Sequence, residues 1–232
     1  MLHATLPGAR NAALADDDVR SVSRSRCVVV ACALGLAAVP AGAEEQNWLT
    51  NSASLAVGGG WSLRLTHERR ATGLEYGGGF LDNGSVSLLR RLGAGATVAV
   101  GYLRESARRG IEDRLEVDAG LHRRLSDGLE LDTRLRLERR EFARVGVADG
   151  FRGRLQLRLR SRARIGRLKL RPFVSGEVFA DAASQRISEN RLILGTTLPA
   201  GPHADWLIGY LRQDARGRPS VHALNTGLDL RF

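Results

Sequence analysis

From Trp48 to Phe232 one pattern recurs: about ten residues in which apolar and polar side chains alternate, then a turn signal. The clearest stretch is Leu129–Glu141. Leu129, Leu131, Thr133, Leu135 and Leu137 fall on one face, and Glu130, Asp132, Arg134, Arg136, Glu138 and Arg140 on the other. A period of two is the period of a strand. Almost every segment therefore has a single apolar face, and no amphipathic helix is available to cover it. Such a sheet must find a second apolar layer or turn that face to lipid.

Eleven such segments can be read: Trp48–Val57, Trp61–Arg70, Phe80–Leu89, Ala96–Glu105, Asp113–Arg123, Leu129–Glu141, Phe151–Ala163, Leu168–Phe179, Asn190–Leu198, Ala204–Gln213 and Val221–Phe232. Their length suits a membrane-crossing strand of about 9–11 residues. The connections alternate. Gly58-Gly59-Gly60, Gly93-Ala94-Gly95, Ser126-Asp127-Gly128, Ile165-Gly166-Arg167 and 199–202 are short, whereas 71–79, 106–112, 142–150, 180–189 and 214–220 are mostly longer. Short turns on one side and long loops on the other are the habit of outer-membrane barrels. Trp48, Trp61, Phe80, Phe142, Phe151 and Phe232 fall at segment ends, where interfacial aromatic girdles lie.

The last segment puts Leu224, Thr226, Leu228, Leu230 and Phe232 on one face and Asn225, Gly227, Asp229 and Arg231 on the other. In water its bare edge is a liability; in a barrel it becomes the closing seam. Bacterial barrels are even-numbered and eleven is odd. Placing Phe232 on the periplasmic side therefore leaves Trp48–Val57 starting outside the cell. Either that segment is not a full strand, or one has been split or merged, or the barrel closes through a parallel pair. The expected fold is all-β: a transmembrane antiparallel β-barrel of roughly 10–12 strands, of the bacterial outer-membrane kind.

Residues 1–43 read as an export signal. Arg20, Arg24 and Arg26 precede the apolar run Cys27–Val39, which falls short of the roughly 20 residues of a spanning helix. Ala41-Gly42-Ala43 supplies the small residues of a cleavage site, with the expected cut after Ala43. The 1–19 lead, with Asp16, Asp17 and Asp18, leaves a later start codon open. Cys27 and Cys32 depart with the signal, so 44–232 offers no disulfide and no thiolate.

The chain carries a formal charge of +10 and its pI is near 11.0. Lys169 is its one lysine. The arginines recur every second residue along one face, without a basic helix, a tail or an aromatic stacking platform. Nucleic acid is therefore not an expected partner.

Several short patterns, in order and spacing, resemble one known family: NWLTNSASLAV and WSLRLTHERR flanking a glycine turn, the arginine ladder, RPFVSGEVFAD, ENRLILGTTL, DWLIGYLRQD and HALNTGLDLRF. Over roughly 48–232 they are similar to the outer-membrane barrel family catalogued as domain of unknown function 2490. The resemblance implies an outer-membrane barrel and brings no activity or site residues.

With leucines toward lipid, the lumen would hold Arg64, Arg70, Arg114, Arg134, Arg136, Arg140, Arg154, Arg158, Arg160, Arg162, Lys169 and Arg171. Against them stand Glu68, Glu116, Asp118, Glu130, Asp132, Glu138 and Glu177. Two readings follow. The charges pair across strands and fill a structural interior, or the unpaired arginines line a narrow pore that prefers small anions. Outer-membrane lipid and lipopolysaccharide are the expected surroundings, with Arg90-Arg91, Arg108-Arg109, Arg123-Arg124 and Arg139-Arg140 near strand ends.

An enzyme is not expected. The alternative is a lipid hydrolase using Ser220 and His222, two residues apart on the outward face. That spacing is about 6.6–6.8 Å along a strand, and no outward acid stands out to orient the imidazole. A further alternative is a soluble periplasmic β-sandwich. His67, His122 and His203 lack metal-ligand spacing. Gly77-Gly78-Gly79 is followed by no helix to cradle phosphate. Neither metal nor cofactor is expected.

Overall fold

The computed structural model describes residues 44–72, 79–108, 110–143, 148–162, 165 and 169–232. The expected signal and its cut after Ala43 lie outside them, as do Gly77, Gly78 and Leu168. The described residues form eleven strands: β1 (Glu44–Gly58), β2 (Trp61–Thr72), β3 (Gly79–Gly93), β4 (Ala96–Ala107), β5 (Gly110–Ser126), β6 (Leu129–Ala143), β7 (Gly150–Ser161), β8 (Arg171–Asp181), β9 (Arg186–Pro199), β10 (Ala204–Ala215) and β11 (Val221–Arg231). Each pairs antiparallel with its sequence neighbour. β1 and β11 then close the barrel in parallel, from Glu44 against Val221 to Ser54 against Arg231. All eleven segments are strands, and the parallel pair resolves the odd count. The single closed sheet also rules out the sandwich alternative.

The seam of the barrel runs as far as Phe232. Its N–H donates to the Ser54 carbonyl at 2.9 Å, and Ala56 N–H donates to the Phe232 carbonyl at 2.9 Å. Glu44 and Glu45 are the first paired residues of β1. Glu44 N–H donates to the Ser220 carbonyl at 3.0 Å. Glu44 and Phe232 thus sit at opposite mouths.

Three corrections concern the connections. The 106–112 stretch contributes only residues 108–109 as a link, because Ala107 and Gly110 already pair. On the other side 162–170 is longer than expected. Ile165 and Leu170 bridge there, and Lys169 has a φ of 54°. β8 consequently begins at Arg171 rather than Leu168, and Lys169 lies off the lumenal ladder. The β1–β2 turn does behave as read: Gly58, Gly59 and Gly60 take φ of 97°, 58° and 80°, a left-handed run that side chains resist.

The register fixes which side chains face outward. Leu65, Val86, Val100, Val117, Leu137, Leu157, Leu192, Ile208 and Leu224 form an apolar belt around the barrel, all exposed. A continuous belt of this kind far exceeds the scattered apolar surface of a water-soluble monomer.

Candidate functional site: the arginine-lined lumen

The inward faces differ around the barrel. β5, β6 and β7 present charge. Arg134 donates twice to Asp118, each at 2.8 Å. Arg136 bridges Asp118 at 2.9 Å and Glu116 at 2.6 Å. Arg140 holds Glu112 at 2.5 and 3.0 Å. Arg152 reaches Glu138 at 2.6 Å, and Arg160 reaches Asp132 at 3.1 Å and Glu130 at 3.4 Å. On the β8 side, Arg154 donates to Glu177 at 2.8 Å and Arg171 to Asp205 at 2.8 Å. The two-residue repeat of the strands brings these planar forks opposite carboxylates, a geometry that suits arginine better than lysine.

β8 to β11 and β1 carry apolar side chains on the inward face as well as the outward one. Inside the barrel, Trp48, Phe173, Ile193, Leu211 and Ala223 form a buried cluster. Gly195 makes room for it: a Cβ there would meet the Phe173 ring at 2.7 Å. Trp48 is therefore not a girdle residue; it is an inward side chain 3% exposed. Its Nε1 donates to Gln46 at 2.7 Å. Phe142 also turns inward, beneath the Arg140 guanidinium at 4.8 Å. Trp61, Phe151 and Phe232 are exposed.

The charged and aromatic walls meet by stacking. Arg70 lies 3.7 Å from the Trp48 ring centroid. Arg191 lies 5.1 Å from Trp48 and 4.6 Å from Phe179. Arg152 and Arg154 approach Phe179 at 5.0 and 4.9 Å. Arg158 sits 4.8 Å over Phe173. These distances fall within the range of cation–π attraction. Phe179 is fully enclosed, at 0% exposure.

Beside this tier runs a cavity of about 1130 Å³. It opens at the mouth carrying Glu44 and Arg218 and extends along the wall to Arg64, Ser87 and Arg134. Eleven arginines line it: Arg64, Arg70, Arg108, Arg114, Arg134, Arg136, Arg140, Arg152, Arg154, Arg191 and Arg218. Six carboxylates join them: Glu44, Glu68, Glu105, Glu112, Glu116 and Glu189. Asp118, Glu138 and Glu177 hold arginines from behind. They are buried and do not line the space, so the cavity surface keeps a surplus of positive charge.

Of the site residues read from sequence, Arg134, Arg136, Arg140, Arg154, Arg158, Arg160, Arg171, Glu130, Asp132 and Glu138, the register puts all on the inward face, and only Arg134, Arg136, Arg140 and Arg154 line the cavity. Sequence reasoning missed Glu105, Glu112, Arg152, Arg191, Asp205 and the inward aromatics. Glu112 and Arg152 have the parity of their neighbours, so extending the alternation by one repeat finds both. Arg191 carried no such signal, because Leu192, Ile193 and Leu194 follow it in succession and blur the alternation of its strand.

Ser220 and His222 do not form a dyad. The Ser220 hydroxyl donates to Asp214 at 2.5 Å, and Asp214 also takes Arg212 at 3.0 Å. The His222 imidazole is hydrogen-bonded through Nδ1 to the Tyr210 hydroxyl. Asp214 is an outward acid that the sequence reading did not pick out, and it engages the serine rather than the histidine.

The fold and lumen define a closed, eleven-stranded β-barrel with an arginine-rich interior. The family model described as Protein of unknown function (DUF2490) matches residues 45–221, and the chain belongs to that family. No curated protein matches it. Among solved structures it is similar to the NanC porin in a rhombohedral crystal form, with 12% identity, 76% of this chain and 92% of that chain covered, and a TM-score of 0.47. It is also similar to a porin refined at 1.8 Å, with 14% identity, coverage of 73% and 57%, and a TM-score of 0.38.

Proposed function

We propose that the chain is an outer-membrane barrel whose lumen is a narrow, anion-preferring pore. The cavity carries this reading: eleven arginines against six carboxylates line a space running from one mouth to Arg64 and Arg134. Rings of fixed positive charge favour anions in such a passage. The stacked tier around Phe179 stands inside the barrel beside the cavity, so a small conductance is expected. The outward apolar belt supports a lipid setting, with outer-membrane lipid and lipopolysaccharide as its surroundings. The engagement of Ser220 by Asp214 weighs against a lipid hydrolase.

The test is single-channel recording of the refolded protein in planar bilayers under a potassium chloride gradient. Discrete small steps with a chloride-directed reversal potential are expected. A silent bilayer would favour a packed, purely structural lumen, and a potassium-selective current would refute the pore's charge preference.

A further inference from the structure

The two rims of the barrel differ in their outward charge. On the Glu44 side, outward arginines stand beside carboxylates: Arg69 beside Asp82 at 3.9 Å, Arg104 beside Asp113 at 3.8 Å, Arg139 beside Glu141 at 3.1 Å and Arg212 beside Asp214 at 3.0 Å. On the Phe232 side, Arg90 of β3 and Arg123 of β5 also face outward, and both are exposed. Among the described residues neither meets a carboxylate. Arg90 instead lies against the Trp61 ring, 5.1 Å from its centroid.

The register sets these two arginines around one small residue, Ala96 of β4. Ala96 pairs with Leu121, and Arg123 follows Leu121 by two residues along β5. On the other side Arg90 pairs with Val98, two residues from Ala96. With strands about 4.8 Å apart and a rise of about 3.3 Å per residue, each arginine Cα is about 8 Å from that of Ala96. Arginine is long enough for both guanidinium groups to close over the alanine, and their planar forks match phosphate oxygens. Away from the rim, Val98 and Leu121 continue the exposed apolar belt. Charge, an interfacial tryptophan and apolar surface thus follow one another in the order of a lipid's headgroup and chains.

We infer that Trp61, Arg90 and Arg123 form a binding site for an anionic phospholipid, its phosphate taken by the two guanidinium groups and its chains by Val98 and Leu121. This rests on the membrane setting proposed above and is independent of conduction. The rim is the one with the Gly58-Gly59-Gly60 turn, and outer-membrane barrels keep their short turns on the periplasmic side, where the leaflet is phospholipid. The opposite rim offers no such surplus, because its outward arginines already have acids beside them.

The experiment uses Trp61 as its reporter. The Trp206→Phe protein is refolded into phosphatidylcholine vesicles that carry a small fraction of brominated phosphatidylglycerol or of brominated phosphatidylcholine. Enclosed Trp48 stays as a constant background. Phosphatidylglycerol is expected to half-quench Trp61 at a mole fraction about fivefold lower, the preference that a basic residue near an anionic surface implies. In the Trp61→Phe protein, Trp206 on β10 reports the lipid away from these arginines and should show no preference. Arg90→Gln with Arg123→Gln should bring the two lipids level at Trp61. Equal quenching of Trp61 by both lipids overturns the inference and leaves the membrane barrel standing. So does a preference that survives the two glutamines or that Trp206 shares. Protein that does not enter the vesicles overturns both.

Discussion

Gly227 of the last strand lies directly against Thr50 of the first: a Cβ on Gly227 would meet the Thr50 carbonyl oxygen at 2.2 Å. The two are register partners in the parallel seam, so the seam leaves no room for a side chain at this position. Gly227→Ala forces the strands apart or costs strain. A destabilisation of about 1–3 kcal/mol is expected, as for overpacked cores. It is read as the temperature at which the fast-migrating folded band disappears on gel electrophoresis. An unchanged temperature would mean that β1 and β11 do not pair in this register.

Glu138 is the most deeply buried acid among the described residues, at 1% exposure, and it holds Arg152 at 2.6 Å. Glu138→Gln leaves the buried guanidinium facing a neutral amide. Breaking such a pair costs about 3–5 kcal/mol. The outward pair Arg139–Glu141, at 3.1 Å with both side chains half exposed, is worth under about 1 kcal/mol. Urea unfolding in detergent should separate Glu138→Gln clearly from Glu141→Gln; equal midpoints would contradict a dry inward wall.

These positions also show what was legible beforehand. In β6, leucine on one face and charge on the other labels every residue, and the inward placement of Glu138 follows from parity alone. In β8 to β11 and β1 apolar residues stand on both faces, so alternation gives no clear label there. Trp48, Phe179 and Arg191 consequently could not be oriented from sequence. The odd number of segments was visible, but the partner of the last strand was not. That pairing depends on how ten earlier strands tilt and close, which no local stretch encodes. The charge balance of the cavity was equally hidden, because it depends on which acids sit behind their arginines, as Glu177 does behind Arg154.

Charge reversal at the far end of the cavity tests the lumen's electrostatics. Arg64 and Arg134 line its deepest part. A unit charge about 8 Å from a passing ion contributes about 0.5 kcal/mol at the dielectric constant of water. Arg64→Glu with Arg134→Glu exchanges two positive charges for two negative ones, enough to lower the anion-to-cation permeability ratio about tenfold or more. Reversal potentials under a salt gradient measure it. A ratio that does not move would remove these residues from the ion path.

The lipid face is tested by Leu137, which points outward and is 60% exposed. Arginine there places a charge in hydrocarbon if the belt is embedded. The cost is about 2–4 kcal/mol near the bilayer midplane, and the yield of folded protein in vesicles should fall accordingly. On a water-exposed surface the same substitution would be nearly neutral, within about 0.5 kcal/mol. A neutral result would therefore refute the membrane setting.

The chain's three tryptophans give an independent check of which way the strands face. Trp206 of β10 points outward and is half exposed, whereas Trp48 is enclosed between Arg70 and Arg191 in the lumen. Two single-tryptophan proteins, one keeping Trp206 and the other Trp48, with phenylalanine at the remaining positions, are refolded into vesicles containing brominated lipid. Bromine quenches on contact, so Trp206 should lose most of its fluorescence and Trp48 little. Strong quenching of Trp48 would mean that β1 is turned over, since a slip of one residue exchanges the two faces of a strand. The parallel seam and the stacked tier would then both be wrong, and the arginine wall on β5 to β7 would stand without its aromatic partner.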